Sequence, residues 1–169
     1  MGRFSHLVDN PTGIEGFKAL YHIPWCVSLQ YSPLGDWYTH RKEREVVIPM
    51  IGLIKGGMRL PMGRRTRDYL IAHRIYPHQC APNLFRVLGS VDTLNKQMGL
   101  GLTWHDIVWM NECHLLTESG YYLKSRSFEV RFILCLSKSN KGMKDDFVIV
   151  SGEWDLHCLT QEEAPGGVP

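Results

Sequence analysis

The spacing of apolar residues changes period along this chain, and the changes mark its elements. Residues 26–31 (Cys-Val-Ser-Leu-Gln-Tyr) alternate apolar and polar, which predicts a half-buried strand. The run at 46–48 is continuously apolar and strand-like, and Pro49 ends it. From Pro82 the period becomes helical. Leu84, Val87, Leu88, Val91, Leu94 and Met98 recur at i, i+3, i+4 and i+7, so this stripe faces a core and leaves Asn83, Arg86, Asn95 and Lys96 toward solvent. A helix over 61 to about 74 collects Met62, Thr66, Tyr69, Leu70 and His73 on one side and Arg64, Arg67 and Arg74 on another. Beyond residue 119 the segments 120–126, 128–136 and 147–150 are rich in aromatic and β-branched residues and read as strands.

Proline and glycine punctuate these elements. Asn10-Pro11 supplies a cap and a first-turn proline ahead of Ile14, Phe17 and Leu20, although Gly13 and Gly16 weaken that helix. Gly56-Gly57 stops what Pro49 starts, Pro61 restarts the chain, Pro77 interrupts it, and Gly99 closes the helix opened at Pro82. Thr103 and Asp106 have capping-box spacing, predicting a fourth helix that reaches about Cys113. Residues 32–36 read as a turn, 37–40 as the start of a partner strand, 41–45 as a mixed-charge connection and 137–142 as a polar one. The class is α+β: a central helical block at about 49–116, flanked by short N-terminal strands and a C-terminal antiparallel sheet. Residues 1–159 form one domain, and 160–169, with its glutamates, prolines and glycines, is a flexible tail.

Composition narrows the class. With 169 residues, 44% hydrophobic and 21% charged, the chain has a globular make-up and enough length for a core. The net charge of +2 means that nucleic-acid binding has to come from local clustering. No apolar run approaches the roughly 20 residues that span a bilayer, so no membrane partner is expected. Five cysteines without a close pair, and no apolar leader, point to reduced thiols inside the cell, with cytoplasm and nucleus undistinguished.

Several constellations carry chemistry if the fold assembles them. His73 with His78 and Cys80, or His105 with Cys113 and His114, have ligand types but lack the close C-x2-C or H-x3-H pairing of zinc sites. His157-Cys158 adds a pair whose members point apart in extended chain. The alternative for all of these is buried cysteine and interfacial histidine. Cys113 with a nearby histidine, or Cys80 with His78, holds the residue types of a thiol nucleophile and base, without a local catalytic signature. Asp145-Asp146 fits a solvated turn, and Gly56-Gly57 lacks the Lys-Ser/Thr of a phosphate loop. No catalytic residue, metal or cofactor is assigned.

Basic residues carry the one positive signal. Lys55, Arg59, Arg64, Arg65, Arg67 and Arg74 stand against a single acid, Asp68, and Arg86 follows. Clustered arginine neutralises phosphates, so the 59–74 basic helix is a candidate for backbone-directed nucleic-acid binding; a solvated face or internal ion pairs are the alternatives. His40, Arg41, Lys42 and Arg44 form a second cluster diluted by Glu43 and Glu45. Trp104 with Trp109, and Tyr121 with Tyr122, suit either stacking on bases or a core seam.

The segments VVIPMIGLIKGGMRLPMG, QCAPNLFRVLGSVDTLNKQMG, LTWHDIVW, GYYLKSR and SNKGMKDDFVIVSGEW cover most of residues 20–154. In them the chain resembles the gypsy-type transposon domain of plant retroelements. The resemblance implies a Gag-like, element-encoded retrotransposon product that is not an enzyme and acts in protein–protein or nucleoprotein assembly. Self-association is then expected to depend on a downstream region absent from this chain. A domesticated enzyme with a Cys/His site is a further alternative. No family catalytic residue carries over. Pro49, Gly56, Gly57, Pro61, Pro82 and Asn83 look architectural, whereas Arg59 and Arg86 are not required by helix punctuation.

Overall fold

The computed structural model describes residues 2–33, 44–116, 120–127, 129, 133 and 146–154. Its fold is α+β. The elements in chain order are α1 (Pro11–Leu20), β1 (Val27–Pro33), β2 (Val46–Pro49), α2 (Met50–Ile54), α3 (Arg64–Ala72), α4 (Pro82–Met98), α5 (Trp104–Met110), β3 (Asn111–Leu116), β4 (Gly120–Ser125) and β5 (Asp146–Gly152). Of the expected strand over 128–136 only 129 and 133 are described; residues 34–36 of the expected turn, the expected strand start at 37–40, residues 41–43 of the mixed-charge connection, the connection at 137–142 and the tail at 160–169 lie outside the described residues.

Among the described residues, two antiparallel sheets accompany the helices. The first has the order β1-β5-β2, so the last strand in sequence lies between the first two. Val27 pairs with Gly152 at one end of β1–β5, and Val46 pairs with Val150 in β2–β5. Period two divides the residues of this sheet between two clusters. Val27, Leu29, Val46, Ile48, Val148 and Val150 join the main core, while Val47, Phe147 and Ile149 form a second buried cluster. The second sheet is the β3–β4 hairpin, with Cys113 opposite Leu123.

Helix α4 is the central beam. Leu84, Phe85, Val87, Leu88 and Val91 are buried, but the stripe is shorter than its spacing suggests, and Met98 is exposed. Phe85 packs on α2 at Gly52, where a Cβ would lie 3.0 Å from the ring, so glycine makes room for the helix contact. Asn83 does not face solvent. Its Nδ2 donates to the Leu123 carbonyl at 2.9 Å and its Oδ1 accepts from the Leu123 N–H at 3.4 Å, fixing β4 to the start of α4.

Three further expectations are corrected. Helix α3 begins at Arg64 rather than near 61, with Gly63 as its N-cap and a cis peptide at Leu60-Pro61. The fourth predicted helix stops at Met110, and 111–116 is a strand, so the helical block ends earlier than 116. There the backbone of Asn111 turns extended, its Nδ2 donates to the Ile107 carbonyl at 3.0 Å, and β4 provides a ladder partner that local spacing cannot reveal. Finally, Asp146 lies in no solvated turn. It is fully buried in β5 and accepts from the Phe4 N–H at 2.7 Å and the Tyr31 O–H at 2.9 Å.

Candidate functional site

The predicted basic residues fall around α3 but do not act alike. Arg65 is half-buried; its Nε donates to the Leu102 carbonyl at 2.8 Å and its Nη1 lies 3.3 Å from Asp92. Arg86 donates from Nε to the Lys55 carbonyl at 2.6 Å, closing the end of α2. That bond explains an arginine for which helix punctuation gave no reason, and it corrects the expectation that Arg86 simply faces solvent. Arg64 and Arg67 flank Asp68 at 3.6 and 3.9 Å. These distances are longer than hydrogen bonds, so the carboxylate keeps acceptor capacity. Arg59 and Arg74 are exposed, as is Lys55. Of the second basic cluster, His40, Arg41 and Lys42 lie outside the described residues.

Beside α3 lies a cleft of about 340 Å³, lined by Arg64, Arg65, Asp68 and the 101–105 segment. Its far wall is built from the loop that joins α4 to α5. Gly99 and Gly101 turn the chain with φ of 63° and 65° in the left-handed region. Asn95 then holds the Leu102 N–H and carbonyl through both ends of its side-chain amide, and Arg65 donates to the same carbonyl. Thr103 and Asp106 start α5 as their spacing predicts: the Thr103 N–H and hydroxyl both donate to Asp106, at 2.7 and 2.8 Å. These bonds hold the Asp106 carboxyl below the usual carboxylate range. Asp92, in contrast, is pushed up by burial, and the Arg65 guanidinium opposes that shift only in part.

A chain of rings connects the core to this wall. Tyr69 is fully buried and stacks on His73 at 4.1 Å; His73 meets Trp104 edge-on at 5.9 Å; Trp104 stacks on His105 at 3.6 Å. His105 is exposed at the outer end. Of the two roles the sequence left open for Trp104, the core seam is seen, since its ring packs against the core; it also lines the cleft.

The cysteine and histidine constellations do not converge. Among the described residues no group of three His, Cys, Asp or Glu is placed to hold a metal ion. His73 Nδ1 bonds the Tyr69 carbonyl, Cys80 donates to the Tyr76 carbonyl, and His114 pairs with Glu112 at 3.0 Å. Cys113 and His114 are neighbours on a strand and project to opposite faces. Cys113 is exposed as a residue, but desolvation of its sulfur pushes the thiol up, and the adjacent Tyr69 hydroxyl only partly offsets it. His157 and Cys158 lie outside the described residues.

The comparisons add nothing to this picture. No protein-family model, curated protein or solved structure matches the chain. No helix among the described residues is long and apolar enough to cross a membrane.

The cleft wall was only partly legible beforehand. The Thr103–Asp106 spacing and the helix-closing Gly99 are legible in the sequence, but Gly101 and the roles of Asn95 and Asp92 are not. The latter two are polar residues on a helix flank, and nothing local distinguishes a loop clamp from a solvated side chain.

Proposed function

We propose that this chain is a non-enzymatic module of nucleoprotein assembly, in keeping with its resemblance to a retroelement Gag-like domain, and that it contacts nucleic-acid backbone around α3. One observation carries the reading. Lys55, Arg59, Arg64 and Arg74 are exposed on α3 and along the chain entering and leaving it, and of these Arg64 lines the cleft whose other wall carries Trp104 and His105. Arg65 and Arg86 support the scaffold through backbone carbonyls, which leaves the phosphate contacts to the exposed set. Cations of this kind neutralise phosphates without reading sequence. A mobility-shift titration at low ionic strength tests the proposal. Wild type should bind, and a triple variant with Arg59→Glu, Arg64→Glu and Arg74→Glu should not, while unfolding at the same denaturant concentration. Failure of the wild type to bind at low salt overturns it.

Protein–protein assembly has its own support. Trp25 is 90% exposed and Trp109 77%, and Leu115 is also exposed. Exposed apolar side chains mark a docking surface where they form a contiguous patch, which self-association would then bury. Light scattering across a concentration series tests self-association: growth of mass with concentration supports it, and a constant monomer mass contradicts it for this chain.

A further inference from the structure

We infer that the cleft between α3 and the 101–105 segment seats one nucleotide of an unpaired strand, with its base against the Trp104–His105 pair and its phosphate at Arg64. The inference rests on the nucleic-acid reading above and adds to it the form of the partner.

Three features of the cleft point to this ligand. First, the volume of about 340 Å³ is at the small end of ligand clefts and suits one nucleotide rather than a helical groove. A base enters such a concavity only when it is unpaired, which favours a single strand over a duplex. Second, the aromatic wall is fixed before any ligand arrives. Trp104 is held between His73 and His105, and the loop preceding it is tied by Asn95 and Arg65. A base laid on the exposed His105 ring extends an existing stack at little ordering cost.

Third, the charges are divided in the way a nucleotide requires. Arg64 is 84% exposed along its side chain and only loosely held by Asp68 at 3.6 Å, so it is free to turn to a phosphate. Arg65 is not, being committed to Leu102 and Asp92. Asp68 repels phosphate but accepts hydrogen bonds, which suits the amino group on a base edge. Asp68 already balances Arg64 and Arg67 as any basic patch would allow, and beside the aromatic wall its spare acceptor capacity also fits a base edge. The N-terminus of α3 is not the anion site, because Asp92 already lies against Gly63 there.

The test uses the full chain and short oligodeoxyadenosine and oligodeoxythymidine strands, free and as the mixed duplex, with 2-aminopurine at the centre of the adenosine strand. Wild type should prefer the single strand, quench the 2-aminopurine on binding, and hold adenosine, which carries an amino group, more tightly than thymidine. His105→Ala, at an exposed position, should lose the quenching and weaken single-strand binding roughly tenfold while leaving duplex binding unchanged. Asp68→Asn should narrow the adenosine–thymidine difference. Equal, unquenched binding of single strand and duplex by wild type overturns the cleft assignment and leaves backbone binding standing. An unaltered affinity and quench in both His105→Ala and Trp104→Phe also overturns it. Absence of binding to every probe overturns both.

Discussion

Asn95 and Leu102 are joined through both ends of the asparagine side-chain amide: Nδ2 donates to the Leu102 carbonyl at 2.8 Å, and the Leu102 N–H donates to Oδ1 at 2.7 Å. The side chain thus imitates a strand partner for one residue of an irregular loop. It fixes the reversal between α4 and α5, and with it the position of Trp104.

Asn95→Ala removes both bonds and leaves two backbone groups of Leu102 with one remaining protein partner, Arg65. The expected loss is about 1–3 kcal/mol, measured by urea unfolding. Asn95→Asp keeps the acceptor and loses the donor, so it should fall between alanine and wild type. A loss under about 0.3 kcal/mol for the alanine variant would show that the loop is held by other means.

Local periodicity revealed the elements it controls. The α4 stripe, the β1 alternation and the α5 start were all legible, because each depends on residues within a few positions. What was hidden depends on distance. Asp146 is tied to Phe4, 142 positions away, and to Tyr31, 115 away, and no window of sequence contains that pair. The segment 111–116 contains no proline or glycine to stop the helix expected to reach about Cys113, and the facing strand at 120–125 decides otherwise. The arginines were visible as a cluster, but which of them would be used inside the fold was not.

The Asp146 tie makes the second prediction. Asp146→Ala strips acceptors from the Phe4 N–H and the Tyr31 hydroxyl together, with an expected loss of about 2–4 kcal/mol. Tyr31→Phe removes only one of these bonds and should lose about 1 kcal/mol. Amide exchange is the sharper readout: the Phe4 N–H should exchange much faster in Asp146→Ala, and unchanged protection would contradict the tie.

The Asp106 cap gives a pH dependence of definite sign. Hydrogen bonds from Thr103 depress the folded-state pKa of this carboxyl below its unfolded value. Its contribution is therefore complete above the unfolded value, about pH 4, and disappears as pH falls through the lower folded value. The stability difference between wild type and Asp106→Ala should be flat from neutral pH down to about pH 4 and shrink below it. A difference that grows on acidification would have the wrong sign.

Thiol chemistry separates a binding module from an enzyme. Burial, reinforced by the neighbouring Cys113, raises the Cys80 thiol, and burial raises Cys113 as well. Residue-resolved alkylation should find Cys113 slower than a free thiol at neutral pH and Cys80 protected until unfolding. Rapid labelling of Cys113 well below neutral pH would revive a nucleophilic role.

The salt dependence of single-strand affinity tests the central claim most directly. Contact between the exposed arginines and three or four phosphates requires log K to fall linearly with log salt, with a slope of about −2 to −3. Arg59→Glu, Arg64→Glu and Arg74→Glu together should flatten that line and leave only weak binding. A wild-type affinity independent of salt, or a slope that the triple variant leaves unchanged, would contradict a phosphate-binding surface around α3.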